Sequence, residues 1–153
     1  MDKTEFTRLI LSHEQQLYWI AKSILKRDED CADAAQEAIA AGFASLHTLR
    51  DDRCVKTWLI RILINQCYRI LRENSRHLPL EDYAEGISTS PEEDYSDLYR
   101  ALLSLPCELR LVLVMHYLEG YSIQEMSEIL GIPQGTVKSR MARGRDGLRR
   151  LLG

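Results

Sequence analysis

The side chains best suited to a chemical role lie on one face of the segment 133–153, at the end of this 153-residue chain. At about 100° per residue, small, polar and basic residues share the face opposite Val137: Gly135, Lys138, Ser139, Ala142, Arg143, Arg149 and Arg150. Lysine and arginine can bind guanine acceptors or phosphates, serine can bind a base edge, and alanine allows close approach to a thymine methyl. Arg140 and Arg145 flank this face and suit phosphate contacts. We therefore predict a DNA-reading helix, although any one arginine taken alone also fits a solvated surface.

The residues before this segment predict the element that would position it. Ser122 and Glu125 have the spacing of a capping box, which starts a helix. Gly131 suits the left-handed position that ends a helix, and Pro133 suits the start of the next. The predicted core stripe of the last helix contains Val137, Met141, Gly144, Leu148, Leu151 and Leu152. Together these signals predict a helix-turn-helix, whose second helix enters the major groove.

A second candidate nucleic-acid surface combines cations with an aromatic ring and an amide. Its residues recur at helical spacing: Arg61, Asn65, Tyr68 and Arg72. Arginine can follow phosphates, tyrosine can stack on a base and asparagine can bind an exposed base edge, which suits a single strand. The alternative is an ordinary cationic surface with Tyr68 half-buried.

An acidic face is predicted on the helix before that one. Asp33, Gln36 and Glu37 point away from its apolar stripe. Taken alone, this pattern favours a solvated face with acids placed well near a helix N-terminus. The core stripe predicted for this helix contains Cys31, Ala32, Ala35, Ile39, Gly42, Phe43 and Leu46. The core stripe predicted for the helix with Arg61 and Asn65 contains Val55, Trp58, Leu59, Ile62, Leu63 and Ile70.

The fold predicted around these surfaces is all-α, with two small helical domains. Apolar residues recur at helical spacing over 6–25, 31–49, 55–71, 98–103, 109–118, 123–130 and 137–152, and no alternating run predicts a strand. We expect a first domain at 1–76, a flexible acidic linker at 77–96 and a helix-turn-helix domain at 97–153. The net charge of −3 hides this division, because residues 46–78 carry +4, residues 79–99 carry −7 and residues 122–153 carry +3.

Several classes of protein are disfavoured. The longest uncharged run has twelve residues, whereas a transmembrane helix needs about 20, so we expect no membrane insertion. The N-terminus lacks a signal-peptide profile, which favours a cytoplasmic protein. The four cysteines and four histidines lack metal-ligand spacing, so we expect buried or half-buried free thiols, no metal and no cofactor. No catalytic constellation is visible, which disfavours a nucleic-acid enzyme.

Two longer motifs carry a family resemblance. Residues 30–37 and 58–65, with Arg72 following, resemble the second conserved region of bacterial sigma factors, and residues 121–140, with Arg143 and Arg145, resemble their fourth region. Both motifs occur in the family's order with a linker between them. The small size resembles the extracytoplasmic-function group of alternative sigma factors.

The resemblance implies binding to core RNA polymerase, recognition of promoter DNA and help in opening the −10 element. Asp33, Gln36 and Glu37 match positions that contact the polymerase. Asn65 matches a position lining the pocket for a flipped −10 base, with Arg61 and Arg72 beside it. Lys138, Ser139, Ala142 and Arg143 match −35 contact positions. An anti-sigma factor, often membrane-anchored, is an expected partner.

Arg69 and Ala142 depart from the family pattern, because relatives commonly have an acidic or polar residue at the first position and a bulky one at the second. These departures affect the promoter sequence that would be read. A stand-alone helix-turn-helix regulator that needs no polymerase is the alternative function.

Overall fold

The computed structural model describes residues 1–77 and 96–153 and shows an all-helical chain over those residues. The helices are α1 (Lys3–Ser12), α2 (Glu14–Ile24), α3 (Asp28–Ser45), α4 (Val55–His77), α5 (Ser96–Ser104), α6 (Cys107–Leu113), α7 (Ile123–Leu130) and α8 (Gln134–Leu152). Short 3₁₀ turns at Leu46–Thr48 and Asp52–Cys54 connect α3 to α4, and a π-helical turn, Val114–Leu118, continues α6. The predicted acidic linker, 77–96, falls almost wholly outside the described residues.

Residues 1–77 form the first helical domain, in which α4 packs against α2 and α3. Phe6 of α1 is fully buried, and its ring meets that of Phe43 edge-on at 4.9 Å between centroids. The helical pattern predicted over 6–25 forms two helices, because His13 has φ −120° and separates α1 from α2. The apolar spacing continues across this break, and no proline or glycine marks it, so periodicity alone could not show it.

The predicted core stripes of α3 and α4 are each partly wrong. In α3 the buried side chains include Ala34 and Ala38, whereas Ala32 is exposed and Ile39 and Phe43 are half-buried. In α4, Ile60, Ile64 and Cys67 are buried and were missed, while Trp58, Ile62 and Ile70 are half-buried. The reason is that α4 packs against α2 and α3 and also against α7, so its apolar surface is wider than one stripe.

The second domain contains the predicted helix-turn-helix, formed by α7 and α8. Ser122 accepts from the Glu125 amide at 3.1 Å, and the Glu125 carboxylate accepts from the Ser122 amide at 3.0 Å, so the capping box is confirmed. Gly131 ends α7 with φ 67°, and Pro133 immediately precedes α8. Val137, Met141 and Gly144 are buried as predicted.

The end of the predicted α8 stripe is wrong. Leu151 is 52% and Leu152 is 50% exposed. They border a shallow depression with Asp97, Arg100, Ala101 and Ser104 of α5, so the last turn of α8 meets a largely polar surface. A cysteine prediction also fails, since Cys54 is exposed in the turn before α4, whereas Cys31 and Cys67 are buried and Cys107 is half-buried.

The two domains pack directly against each other. Helix α6 contacts α2, and α7 contacts α4. Leu111, Val112 and Met115 belong to one continuous buried cluster with residues of the first domain such as Ile20 and Ile24. This packing determines which of the predicted surfaces face solvent and which face the opposite domain.

Candidate nucleic-acid interfaces

The outward face of α8 is displayed as the sequence predicts. Lys138, Ser139, Ala142 and Arg143 are all exposed. Burial of Val137 and Met141 anchors the opposite side of the helix, and the capped α7 with its Gly131 turn sets its direction. The result is a helix that presents two cations, a hydroxyl and a methyl side chain together, which suits base-edge and phosphate contacts in a major groove.

Each of the two flanking arginines contacts another side chain of the second domain. Arg140 lies 3.5 Å from Glu108 of α6, measured from Nη2 to Oε2, and its side chain is 23% exposed. Arg145 is half-buried, and its Nη1 donates to the Tyr117 hydroxyl at 3.4 Å. The structure therefore groups four of the six predicted −35 residues on one exposed face, whereas Arg140 pairs with Glu108 of its own domain and lines the cleft next to α4.

The predicted single-strand surface lies along α4. Arg61, Asn65 and Arg72 are exposed, and Tyr68 is half-buried. Burial raises the pKa of Tyr68 to about 12, so its phenol is neutral at physiological pH. Part of the ring remains available for stacking, although the half-burial is also what the ordinary-surface alternative expected.

A cleft of about 470 Å³ separates this part of α4 from the helix-turn-helix. Both domains line it, through Arg61, Ile64, Asn65, Tyr68, Cys107, Glu108, Ile129, Leu130, Ile132 and Arg140. Arg61 reaches close to the turn between α7 and α8, since its Nη2 lies 3.8 Å from where a Cβ on Gly131 would be. Three of the four residues of the predicted single-strand surface therefore face the second domain across this cleft.

The acidic face on α3 is exposed as predicted, with Asp33, Gln36 and Glu37 all reaching solvent. Asn74 of α4 donates to Asp30 at 2.9 Å and ties the start of α3 to the end of α4. Arg69 lies 4.0 Å from Glu37, so the residue that departs from the family pattern offsets part of the negative charge on this face.

Sequence reasoning missed Arg110, which is only 3% exposed. Its guanidinium donates to the carbonyls of Ser23 in α2 and of Leu103 and Leu105, the last two at 3.2 and 2.9 Å. The available signal was one arginine inside the apolar run 109–115, at a position where the helical pattern calls for a core residue. Such a residue needs buried acceptors, and only the tertiary structure shows where they are.

Two features are absent from the part of the chain that the structure describes: a metal site and a membrane-spanning helix. No group of three or more histidine, cysteine or acidic residues could hold a metal ion there. Within the same residues, no helix combines the length and apolar character needed to cross a membrane.

Comparisons with known proteins match both domains. A family profile described as Sigma-70 region 2 matches residues 9–77, and one described as Sigma-70, region 4 matches residues 95–147. The ECF RNA polymerase sigma factor SigM of Mycobacterium tuberculosis is 39% identical over 155 residues, covering 99% of this chain and 79% of the relative. The RNA polymerase sigma factor SigV of Bacillus subtilis is 30% identical, covering 94% of this chain and 91% of the relative.

Solved structures agree with these matches. The sigma factor RpoE of Bartonella quintana, solved in complex with the anti-sigma factor NepR, has a TM-score of 0.80 at 25% identity and covers 97% of this chain and 96% of its own. CnrH, solved with the cytosolic domain of CnrY, has a TM-score of 0.74 at 24% identity, with 99% and 89% covered. The second likeness concerns the fold alone.

Proposed function

The chain belongs to the extracytoplasmic-function group of the sigma-70 family, whose members direct promoter-specific transcription, and we propose how its two domains divide that task. The first domain docks on core RNA polymerase and captures the unpaired −10 strand, and the second reads the −35 duplex. Each contact is weak alone, and holding both domains on one polymerase raises the effective concentration of each at its site.

The observation that carries this proposal is the outward face of α8. A capped helix-turn-helix displays Lys138, Ser139, Ala142 and Arg143 within the segment that matches region 4. Because Ala142 is small, the helix can approach the bases closely, while the cations contact guanine edges and phosphates. Arg145 serves as a phosphate contact at the edge of this face, and Arg140 does so once its pairing with Glu108 is released.

The first domain supplies the other two contacts. Arg61 and Arg72 follow the phosphates of the unpaired strand, Tyr68 stacks on a base and Asn65 binds the edge of a flipped base. Asp33, Gln36 and Glu37 dock on a basic surface of core polymerase, which their exposure and negative charge support. The boundaries 1–76 and 97–153 keep these roles on separate domains, in line with the two matched segments.

Regulation by a protein partner also forms part of the proposal. A similar sigma factor, RpoE of Bartonella quintana, was solved with the anti-sigma factor NepR. We extend that kind of partnership to this chain, with an anti-sigma factor covering its polymerase-binding surfaces. The protein acts as a regulatory subunit with no chemistry of its own, in the cytoplasm where the polymerase is.

The alternative of a stand-alone regulator gives the first domain no task, whereas the match to region 2 spans residues 9–77. In-vitro transcription with purified core polymerase and a genomic promoter library separates the two. We expect transcripts that start at defined promoters only when this protein is added. DNA binding without any such transcript would favour the regulator.

Two variants separate the surfaces within that assay. Arg143→Ala should weaken −35-dependent initiation by roughly 1–3 kcal/mol, or about 5- to 150-fold, because one base or phosphate contact is lost, while core binding stays unchanged. Reversing the charge of Asp33 and Glu37 together should weaken core binding and leave duplex affinity unchanged. Arg8→Ala and Glu14→Lys are the matched controls, since they alter exposed charges on α1 and α2. Equal loss of core affinity in both test variants would refute the division of roles.

A further inference from the structure

We propose that Arg69 lowers the affinity of the protein for core RNA polymerase by competing with the polymerase for Glu37. The proposal rests on the assignment of the acidic face of α3, formed by Asp33, Gln36 and Glu37, to polymerase docking. It adds a residue of α4 that sets how tightly this face binds without belonging to it.

The acidic face carries few charges, so one nearby cation changes it strongly. Helix α3 contains no lysine or arginine between Asp28 and Ser45. Within the face, Asp33 and Glu37 each carry one negative charge, whereas Gln36 is neutral. The positive charge of Arg69 beside Glu37 therefore halves the net charge that the face presents to a basic partner.

The packing of α4 against α3 holds Arg69 beside this face. Asn74 of α4 donates to the Asp30 carboxylate at 2.9 Å, and Arg69 lies opposite Glu37. Because the partners advance along α3 while they go back along α4, the two helices run antiparallel. Between these two contacts lies the buried Ala34, whose small side chain allows the helices to approach closely. Arg69 is therefore positioned by the helix pair and not by its own ion pair alone.

The ion pair itself is loose. Nη2 of Arg69 lies 4.0 Å from Oε2 of Glu37, a separation beyond that of a hydrogen bond. The two side chains are 49% and 59% exposed, so water and salt screen their attraction. A partner can therefore reach the Glu37 carboxylate, and the loss of the pair on docking reduces the affinity by a small factor.

A polymerase cation that approaches Glu37 meets Arg69 beside it. The carboxylate then either exchanges Arg69 for the new cation or is shared by both, since its two oxygens can accept several donors. Exchange loses the existing pair, and sharing places two like charges side by side, so both outcomes oppose docking. The shape of the face is the same in each case. Removing the charge of Arg69 should therefore tighten binding without altering the contact geometry.

The test is the dissociation constant of the full chain for immobilised core RNA polymerase, measured without DNA so that strand contacts do not contribute. Arg69→Gln should bind about two- to fivefold more tightly at about 0.1 M salt, which is the range that exposed ion pairs correspond to. Arg69→Ala, a second variant that removes the charge and favours the helix, should show the same gain. The gain should shrink towards about 1 M salt, because the screening length falls from about 10 to about 3 Å.

Two variants serve as controls. Arg69→Lys keeps the positive charge and should bind as the unsubstituted protein does. Arg8→Gln changes the net charge by the same amount as Arg69→Gln, from an exposed position on α1, and should leave the dissociation constant unchanged. Equal tightening by Arg69→Lys or by Arg8→Gln would overturn the proposal, because the gain would not depend on the charge at position 69.

A double-mutant comparison tests the competition for Glu37 directly. Glu37→Gln should weaken core binding, and adding Arg69→Gln to it should give a smaller gain than in the unsubstituted protein, because no carboxylate is left to compete for. Unchanged or weaker binding by Arg69→Gln, or the same gain in both backgrounds, would refute this inference alone. No binding of the unsubstituted chain to core polymerase would refute the sigma function and this inference with it.

Discussion

The cysteines show how sharply position changes the chemistry of one residue type. Cys31 and Cys67 lie in the first domain's core, and burial raises the pKa of Cys31 to about 11 and of Cys67 to about 12. Cys54 precedes α4 and is exposed. Because the thiolate is the reactive form, reactivity should follow this division.

We expect a thiol reagent such as iodoacetamide at pH 8 to modify Cys54 quickly and Cys107 more slowly. Cys31 and Cys67 should react only when the first domain unfolds. Peptide mass spectrometry over time measures each rate, and Cys54→Ser should remove the fast phase. Rapid labelling of Cys67 in the folded protein would contradict the packing of α4.

At the scale of the element, the turn between α7 and α8 depends on one backbone conformation. Gly131 has φ 67°, a region in which a Cβ costs about 1–2 kcal/mol. Its amide donates to the Ser127 carbonyl at 2.9 Å and closes the last turn of α7. The direction of α8, and hence of its outward face, follows from this residue.

Gly131→Ala should lower the free energy of unfolding by about 1–2 kcal/mol, measured by urea denaturation followed by circular dichroism. Gly135→Ala is the matched control, because Gly135 lies inside α8 and an added Cβ there has nothing within 4 Å. That change should be neutral or stabilising by up to about 1 kcal/mol. Equal losses at both positions would show that the left-handed turn is unimportant.

At the scale of the whole molecule, the shared buried cluster makes the two domains thermodynamically dependent. Helices α2 and α6 share apolar contacts and the Arg110 hydrogen bonds, so separation would expose Leu111, Met115 and a buried guanidinium. Domains joined in this way unfold together unless the interface is weakened.

We expect tryptophan fluorescence and far-ultraviolet circular dichroism to give coincident urea transitions. Both tryptophans, Trp19 and Trp58, lie in the first domain, whereas circular dichroism reports the helices of both domains. Arg110→Met should separate the two curves, and Arg100→Met should leave them superimposed. Separate curves for the unsubstituted protein would show that the interface contributes little stability.

The sequence by itself determined what depends on nearby residues. Ser122, Glu125 and Gly131 act within a few positions of each other, so their spacing predicted the helix-turn-helix and the outward face of α8. The exposure of Asp33 and Glu37 could be predicted in the same way, because both residues lie away from the apolar stripe of a single helix. The −7 charge of residues 79–99 predicted a linker between two domains. The boundaries of those domains stay a prediction.

Only the tertiary structure decided what depends on distant residues. The wider apolar surface of α4, the exposure of Leu151 and the pairing of Arg140 with Glu108 each reflect contacts between helices far apart in the chain. Arg110 is the clearest case, because its acceptor at Ser23 lies 87 positions away. A periodic pattern describes one helix against an unspecified core, and it contains no information about which second helix supplies that core.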